Sequence, residues 1–184
     1  MNQALILIDI QNDYFPGGIF ELFEADRTAA MAARALGDFR SRGLPVYHIR
    51  HISLGADAGF FRPGTPGSEI SPAVSPAPGE KVFIKHAPNA FLETGLEADL
   101  RANGIGRLVV CGMMSHMCID TSIRAAKDLG FSVTLLDDAC TTRDLCWEGT
   151  VIPAQTVHRA MMAALDGTFA DVLKMDAFLS GGAR

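Results

Sequence analysis

Two things are scarce in this sequence: charge of one dominant sign and long hydrophobic runs. Charged residues make up 20% of the 184 residues, with 21 acidic against 16 basic side chains and a formal net charge of −5. No basic block interrupts that balance, which argues against a nucleic-acid partner. The N-terminal apolar run, Ala4–Ile8, is far too short for a membrane span or a signal h-region, and no Lys or Arg precedes it. No membrane partner and a cytoplasmic location are therefore expected. There is also no internal repeat or low-complexity stretch. The 48% of hydrophobic residues fits an ordinary globular chain large enough for a sizeable core, so one domain over residues 1–184 is expected.

Cysteine is sparse and carries no CxxC spacing: Cys111, Cys118, Cys140 and Cys146. Cys111 lies in an apolar run, where it packs as a small hydrophobe. A cytosolic chain of this length needs no disulfide, so the four are read as free thiols.

What is present is an alternation of apolar runs and helical patterns. Ala4–Asp9, Leu44–Arg50, Lys81–Lys85, Arg107–Gly112, Phe131–Asp137 and a weaker Phe169–Met175 read as strands. Several are continuously apolar, as suits strands covered on both faces. Between them, Asp26–Arg42, Phe91–Asn103, a segment from Cys118 to Leu129 and Pro153–Leu165 read as helices. Asp26 is a plausible N-cap, and Gly43, Gly104 and Gly130 are stops. Such spacing predicts right-handed βαβ units: a three-layer, doubly wound α/β fold with an about six-stranded, mainly parallel sheet and helices on both faces. Residues 52–78 form a long loop rich in Pro and Gly. Phe60, Phe61 and Ile70 within it predict an ordered loop packed over something.

In a parallel sheet the carboxyl ends of the strands share one edge, where ligands bind. Asp9, Lys85 and Cys118 all fall there. Cys118 stands in the first turn of a predicted helix, whose dipole is expected to favour a thiolate. A carboxylate able to take the thiol proton and an ammonium able to steady negative charge complete the needs of a nucleophilic sulfur.

Three stretches, ALILIDIQNDYFPGG, KHAPNAF and VVCGMMSHMCIDTSIRAAKDLGFSVTLLDDACTT, resemble the isochorismatase-like cysteine hydrolases, a superfamily that includes nicotinamidases and N-carbamoylsarcosine amidases. The resemblance runs from about Ala4 to Phe169. It implies a catalytic triad of Asp9, Lys85 and Cys118, and a cis peptide at Met113–Met114. It also implies an oxyanion hole made by the Met114 and Cys118 amides, and a homo-oligomer. The substrate it implies is a small amide, ureide or carbamoyl compound, cleaved at a C–N bond through a thioester. A vinyl ether hydrolase and a catalytically silent binding member of the fold stay open as alternatives.

The metal-binding Asp-x-His of nicotinamidases has no counterpart in VYHIRHISLGADAGF, so neither a metal nor another cofactor is expected. His48 is read as structural. His48 and His51, three apart on a strand, point to opposite faces, and His51 is read as lining the pocket. Gln11, Phe15, Phe61 and His116 are the substrate-binding candidates, since pockets combine apolar walls with few polar groups. Trp147 is read as lying in a loop that closes the site or meets another subunit.

Overall fold

A computed structural model describes residues 2–55 and 57–181. Six strands form one parallel sheet: β1 (Asn2–Ile8), β2 (Val46–His51), β3 (Lys81–Lys85), β4 (Ile105–Met113), β5 (Ser132–Thr141) and, after a two-stranded hairpin of β6 (Leu145–Trp147) and β7 (Thr150–Ile152), β8 (Asp171–Leu173). Their order in the sheet is β3-β2-β1-β4-β5-β8. The chain thus builds outward from β1 to β3, then returns to the other side of β1 and builds outward again. Right-handed crossovers under that topology place α1 (Ala25–Ser41) on one face, and α2 (Leu96–Ala102), α3 (Asp120–Asp128) and α4 (Ala154–Leu165) on the other. A short α5 (Met175–Leu179) lies against α1, with Phe178 stacked 6.3 Å from Phe39.

The continuous apolar runs have the expected cause. Ala4–Ile8 and Leu108–Met113 apart from Gly112 are buried core on both faces of the sheet. Gly112 is required where it stands: its φ is +134°, and a Cβ there would lie 2.0 Å from the carbonyl oxygen of Ile8 on the neighbouring strand. The reversal of strand order falls between β1 and β4, so the crevice at their carboxyl ends is the topological switch point where open α/β sheets bind ligands.

Several boundaries differ from the sequence reading. α1 begins at Ala25 behind a left-handed Glu24, and Asp26 lies inside its first turn instead of capping it. The predicted helix from Phe91 starts only at Leu96. Its first residues form a turn in which the Asn89 side chain accepts from the Phe91 amide at 2.9 Å and Thr94 donates to the Ala90 carbonyl at 2.7 Å. These short polar side chains compete with the helix for backbone groups. Trp147 sits on the exposed β6–β7 hairpin, whose Glu148-Gly149 turn has both φ values positive, as a tight two-residue hairpin turn requires. Among the described residues no helix is long and apolar enough to cross a membrane. The four cysteines are free, and only Cys146 is exposed.

Candidate active site

The chain leaves β1 at Asp9, which takes a left-handed conformation (φ 53°) while its amide donates to Ile49 of β2 at 3.0 Å. β3 lies two strands away, roughly 10 Å from β1 at ordinary strand spacing. Lys85 closes β3 in register with His51, the last residue of β2. Its long stem can therefore cross the end of β2 and bring Nζ to 2.7 Å from Asp9 Oδ2. β4 ends at Met113, joined to Met114 by a cis peptide, and the chain then makes a wide π-type turn, Ser115–Ile119, before α3. Cys118 on that turn puts Sγ 3.2 Å from Lys85 Nζ. The Asp9 carboxylate, a His51 ring nitrogen and Cys118 Sγ all lie within 4.8 Å of one another. Asp9, Lys85 and Cys118 are 0%, 1% and 6% exposed, so little water screens the group.

The hydrogen bonding is uneven. The ammonium protons serve His51 Nδ1 at 3.0 Å, the Ala87 carbonyl at 3.0 Å and Cys118 Sγ. Asp9 draws charge stabilisation from Lys85 and the thiol, yet neither of its buried oxygens has a partner in good hydrogen-bond geometry. A buried acceptor with unused lone pairs is costly as structure and useful as a proton acceptor.

Burial also sets the proton positions. It pushes the Asp9 carboxyl above its usual range, against the lowering effects of Lys85 and the thiol. Burial opposes the charge of Lys85 as well, but Asp9 and Cys118 outweigh it and hold the ammonium above its ordinary pKa. For Cys118, burial and then the Asp9 carboxylate push the thiol well up, and Lys85 offsets only part. This corrects the expectation of a thiolate favoured by the helix start: a dipole end contributes about 1 kcal/mol, less than burial costs a sulfur anion. The shifts favour the thiol over the thiolate and the ammonium over the free amine, while the 2.7 Å ion pair to Lys85 opposes the effect of burial on Asp9.

Asp9, His51 and Cys118 offer a set of atoms that could ligate a metal. Lys85 Nζ already stands among all three, within 3.2 Å of each, so a second cation there would meet like charge at close range. His51 is kept neutral, its pKa brought to about 4 by burial, Lys85 and His86. His48 is buried on the other side, with Nε2 2.9 Å from Glu80 Oε2.

The remaining candidates divide by position. Gln11 is buried, and both ends of its amide are committed to backbone: Nε2 donates to the His51 carbonyl (2.9 Å) and the Ser68 carbonyl (2.7 Å), while Oε1 accepts from the His51 amide (2.7 Å). It ties the end of β2 to the long loop. Phe61 is fully buried, 4.6 Å from the Tyr14 ring and 5.9 Å from the His51 ring between centroids. Its amide donates to Asp13 Oδ2 at 2.6 Å. Gly67 has to be glycine beneath that carboxylate, since a Cβ would lie 1.8 Å from Asp13 Oδ1. Phe15 is half-buried against the core, and His116 is half-buried with Nδ1 bonded to Thr142 Oγ1.

Ser115, His158 and Asp137 went unnoticed in the sequence as a group. Ser115 Oγ, at the start of the turn that carries Cys118, donates to the Thr141 carbonyl (3.1 Å) and meets His158 Nδ1 of α4 at 2.8 Å. His158 Nε2 meets Asp137 Oδ1 of β5 at 2.7 Å. The Asp137-Asp138 pair, read from sequence as the end of a strand but lying inside β5, was the one signal available, because a His on a distant helix has no local pattern to announce it.

The family model described as the isochorismatase domain matches residues 3–177. The chain is 48% identical over 179 residues to the isochorismatase family protein YddQ of Bacillus subtilis, covering 97% of this chain and 99% of YddQ. It is 39% identical over 147 residues to the streptothricin hydrolase of Streptomyces noursei, covering 78% of this chain and 51% of that longer protein. Among solved structures, an isochorismatase-family hydrolase of Oleispira antarctica superimposes with a TM-score of 0.94 at 43% identity, covering 98% of this chain and 97% of that one.

Proposed function

The chain belongs to the isochorismatase family of hydrolases, and from that membership and the cluster at the switch point we propose that it hydrolyses a small amide, ureide or carbamoyl C–N bond with Cys118 as nucleophile. The observation that carries this reading is the meeting of three groups from three strand ends: the ammonium of Lys85, 2.7 Å from Asp9 and 3.2 Å from Cys118.

Because burial favours the protonated thiol, attack and deprotonation go together. Sγ adds to the carbonyl carbon as its proton passes to Asp9, the neighbouring base with unused lone pairs. The amides of Met114 and Cys118 take the tetrahedral oxygen, an arrangement in which losing one donor typically costs about 2.7–4 kcal/mol. The C–N bond then breaks, and protonated Asp9 gives its proton to the departing nitrogen, leaving a thioester and free ammonia or amine. Asp9 next takes a proton from water as the oxygen adds to the thioester. Collapse expels sulfur, which recovers that proton, and releases the acid. Lys85 stays an ammonium throughout. It holds Asp9 ionised and balances the negative charge as that charge moves between carboxylate, sulfur and oxygen.

Gln11 acts by holding the end of β2 and the loop, while Phe15, Phe61 and His116 form or back the wall of the substrate site. Small amides, ureides and carbamoyl compounds assayed for ammonia release test this reading. Wild type releases ammonia from at least one of them, unaffected by a chelator, and Cys118→Ala abolishes the reaction while the folded circular-dichroism spectrum is kept. Turnover by Cys118→Ala near the wild-type rate would remove sulfur from the mechanism, whereas a wild type that releases no ammonia from any of them but cleaves a vinyl ether would favour that alternative.

A further inference from the structure

His51 is the member of the cluster that the mechanism above leaves without a task. Lys85 Nζ lies 3.0 Å from its Nδ1, and an ammonium has protons to give and no lone pair to accept with. Nδ1 is therefore the acceptor. The adjacent positive charge and burial oppose a second ring proton, holding the imidazole neutral down to about pH 4. A neutral ring with a bare Nδ1 carries its one proton on Nε2. Among the described residues nothing accepts from that Nε2–H.

The ring is also held in place. Gln11 brackets the His51 backbone on both its amide and its carbonyl, and the Phe61 ring stands 5.9 Å away. Asp9, Lys85 and Cys118 are almost fully enclosed, whereas His51 is half-buried and meets solvent. A small acyl group bonded to Sγ is within a few ångströms of this ring, because a ring nitrogen already lies within 4.8 Å of the sulfur.

Resting on the amidase reading, we propose that His51 is a substrate-recognition residue, locked by Lys85 as the Nε2–H tautomer, whose free N–H selects amides carrying a second acceptor beside the scissile carbonyl. The acceptor is a carbonyl or carboxylate oxygen or a ring nitrogen one or two bonds away. Lys85 thereby has two tasks, charge balance at Asp9 and Cys118 and tautomer control at His51. A donor preset in this way discriminates strongly against analogues lacking the acceptor, since they leave a desolvated N–H unpaired.

Two measurements test it. In the resting protein labelled with 15N-histidine, two-bond proton–nitrogen correlations at neutral pH show His51 protonated on Nε2 and bare on Nδ1. A proton on Nδ1, or titration near the ordinary histidine pKa, overturns the proposal. For catalysis, pyruvamide (with a 2-oxo acceptor) is compared with propionamide (without one). His51→Leu lowers kcat/KM for pyruvamide about 10-fold or more relative to propionamide, mainly through KM. His51→Gln, whose amide can accept from Lys85 and still donate, recovers most of the loss. Equal losses on both amides overturn the recognition role. A wild type that hydrolyses neither amide counts against the amidase reading instead, and the NMR spectrum still decides the tautomer by itself.

Discussion

In the proposed mechanism the chemistry turns on Asp9. It is fully buried, left-handed in backbone, beside an ammonium, and short of hydrogen-bond partners. Its raised pKa places the acidic limb of the activity profile above the range of an ordinary carboxylate, because the base must be ionised to take the thiol proton. Cys118 and Lys85 are both shifted upward, so kcat/KM should stay level from neutral pH well into the alkaline range, where a thiolate–imidazolium pair would already be losing its proton. Asp9→Asn should lower kcat by about 10³-fold or more, removing both the base for attack and the acid for the leaving nitrogen. A profile that falls with loss of one proton near neutral pH would contradict this proton assignment. That Asp9, Lys85 and Cys118 share one edge of the sheet was legible in the sequence, since Asp9 and Lys85 end apolar runs and Cys118 follows closely on a third. The direction of the thiol shift was not. A helix-start argument contains no information about burial, and burial decides the sign here.

At the scale of elements, the turn that carries Cys118 is supported from behind. Ser115, the first residue of the π-type turn, is bonded to β5 through the Thr141 carbonyl and to α4 through His158, which Asp137 holds in turn. Asp137 is kept ionised, its pKa lowered to about 2 by His158 first and, against burial, by Lys174. His158→Ala should lower kcat about tenfold with little change in KM or thermal stability, because it loosens the turn that aims Sγ without touching substrate. A variant with unchanged kcat would show that the turn keeps its shape unaided. Within the long loop, residues 57–78 form a second such element. Its order comes from the Asp13 carboxylate on the Phe61 amide, Gln11 on Ser68, and the stacked Phe20 and Phe60 rings 4.5 Å apart. The phenylalanines hinted at a packed loop. The Asp13–Gly67 contact that fixes it joins residues 54 positions apart and leaves no periodic trace. The β6–β7 hairpin escaped for a similar reason, since a Glu-Gly turn is a weaker hairpin signal than Asn-Gly.

Across the whole molecule, strand order explains why distant residues meet. The parallel α/β sheet followed from apolar runs alternating with helical patterns. The sequence alone did not determine which strands are neighbours, and the return of β4 to the side of β1 brings Cys118 to Asp9. Far from that edge, Glu80 binds the periphery together, accepting from Arg40 (2.7 and 2.8 Å) and the Ala77 amide (2.8 Å) and meeting His48 (2.9 Å). Burial works against its charge, yet these bonds hold it at about 2, below its usual 4.5. A depressed carboxylate adds stability that is present above pH 4.5 and lost as pH falls through about 2. Glu80→Gln should therefore cost about 1–2 kcal/mol at pH 7, discounted for the exposed Arg40 side chain, with the gap to wild type closing in acid. Urea unfolding at several pH values reads this directly, and a gap that does not change with pH would contradict the ionic account.

Cys118 as a buried acyl carrier is tested most directly by an acid quench of wild-type enzyme during turnover of an amide that releases ammonia, followed by intact and peptide mass spectrometry. The expected result is a mass increase equal to the substrate acyl group less one hydrogen on the Cys118 peptide, absent in Cys118→Ala and strongly reduced in Asp9→Asn. Sustained ammonia release by Cys118→Ala, or an acyl group found on another residue, would contradict it.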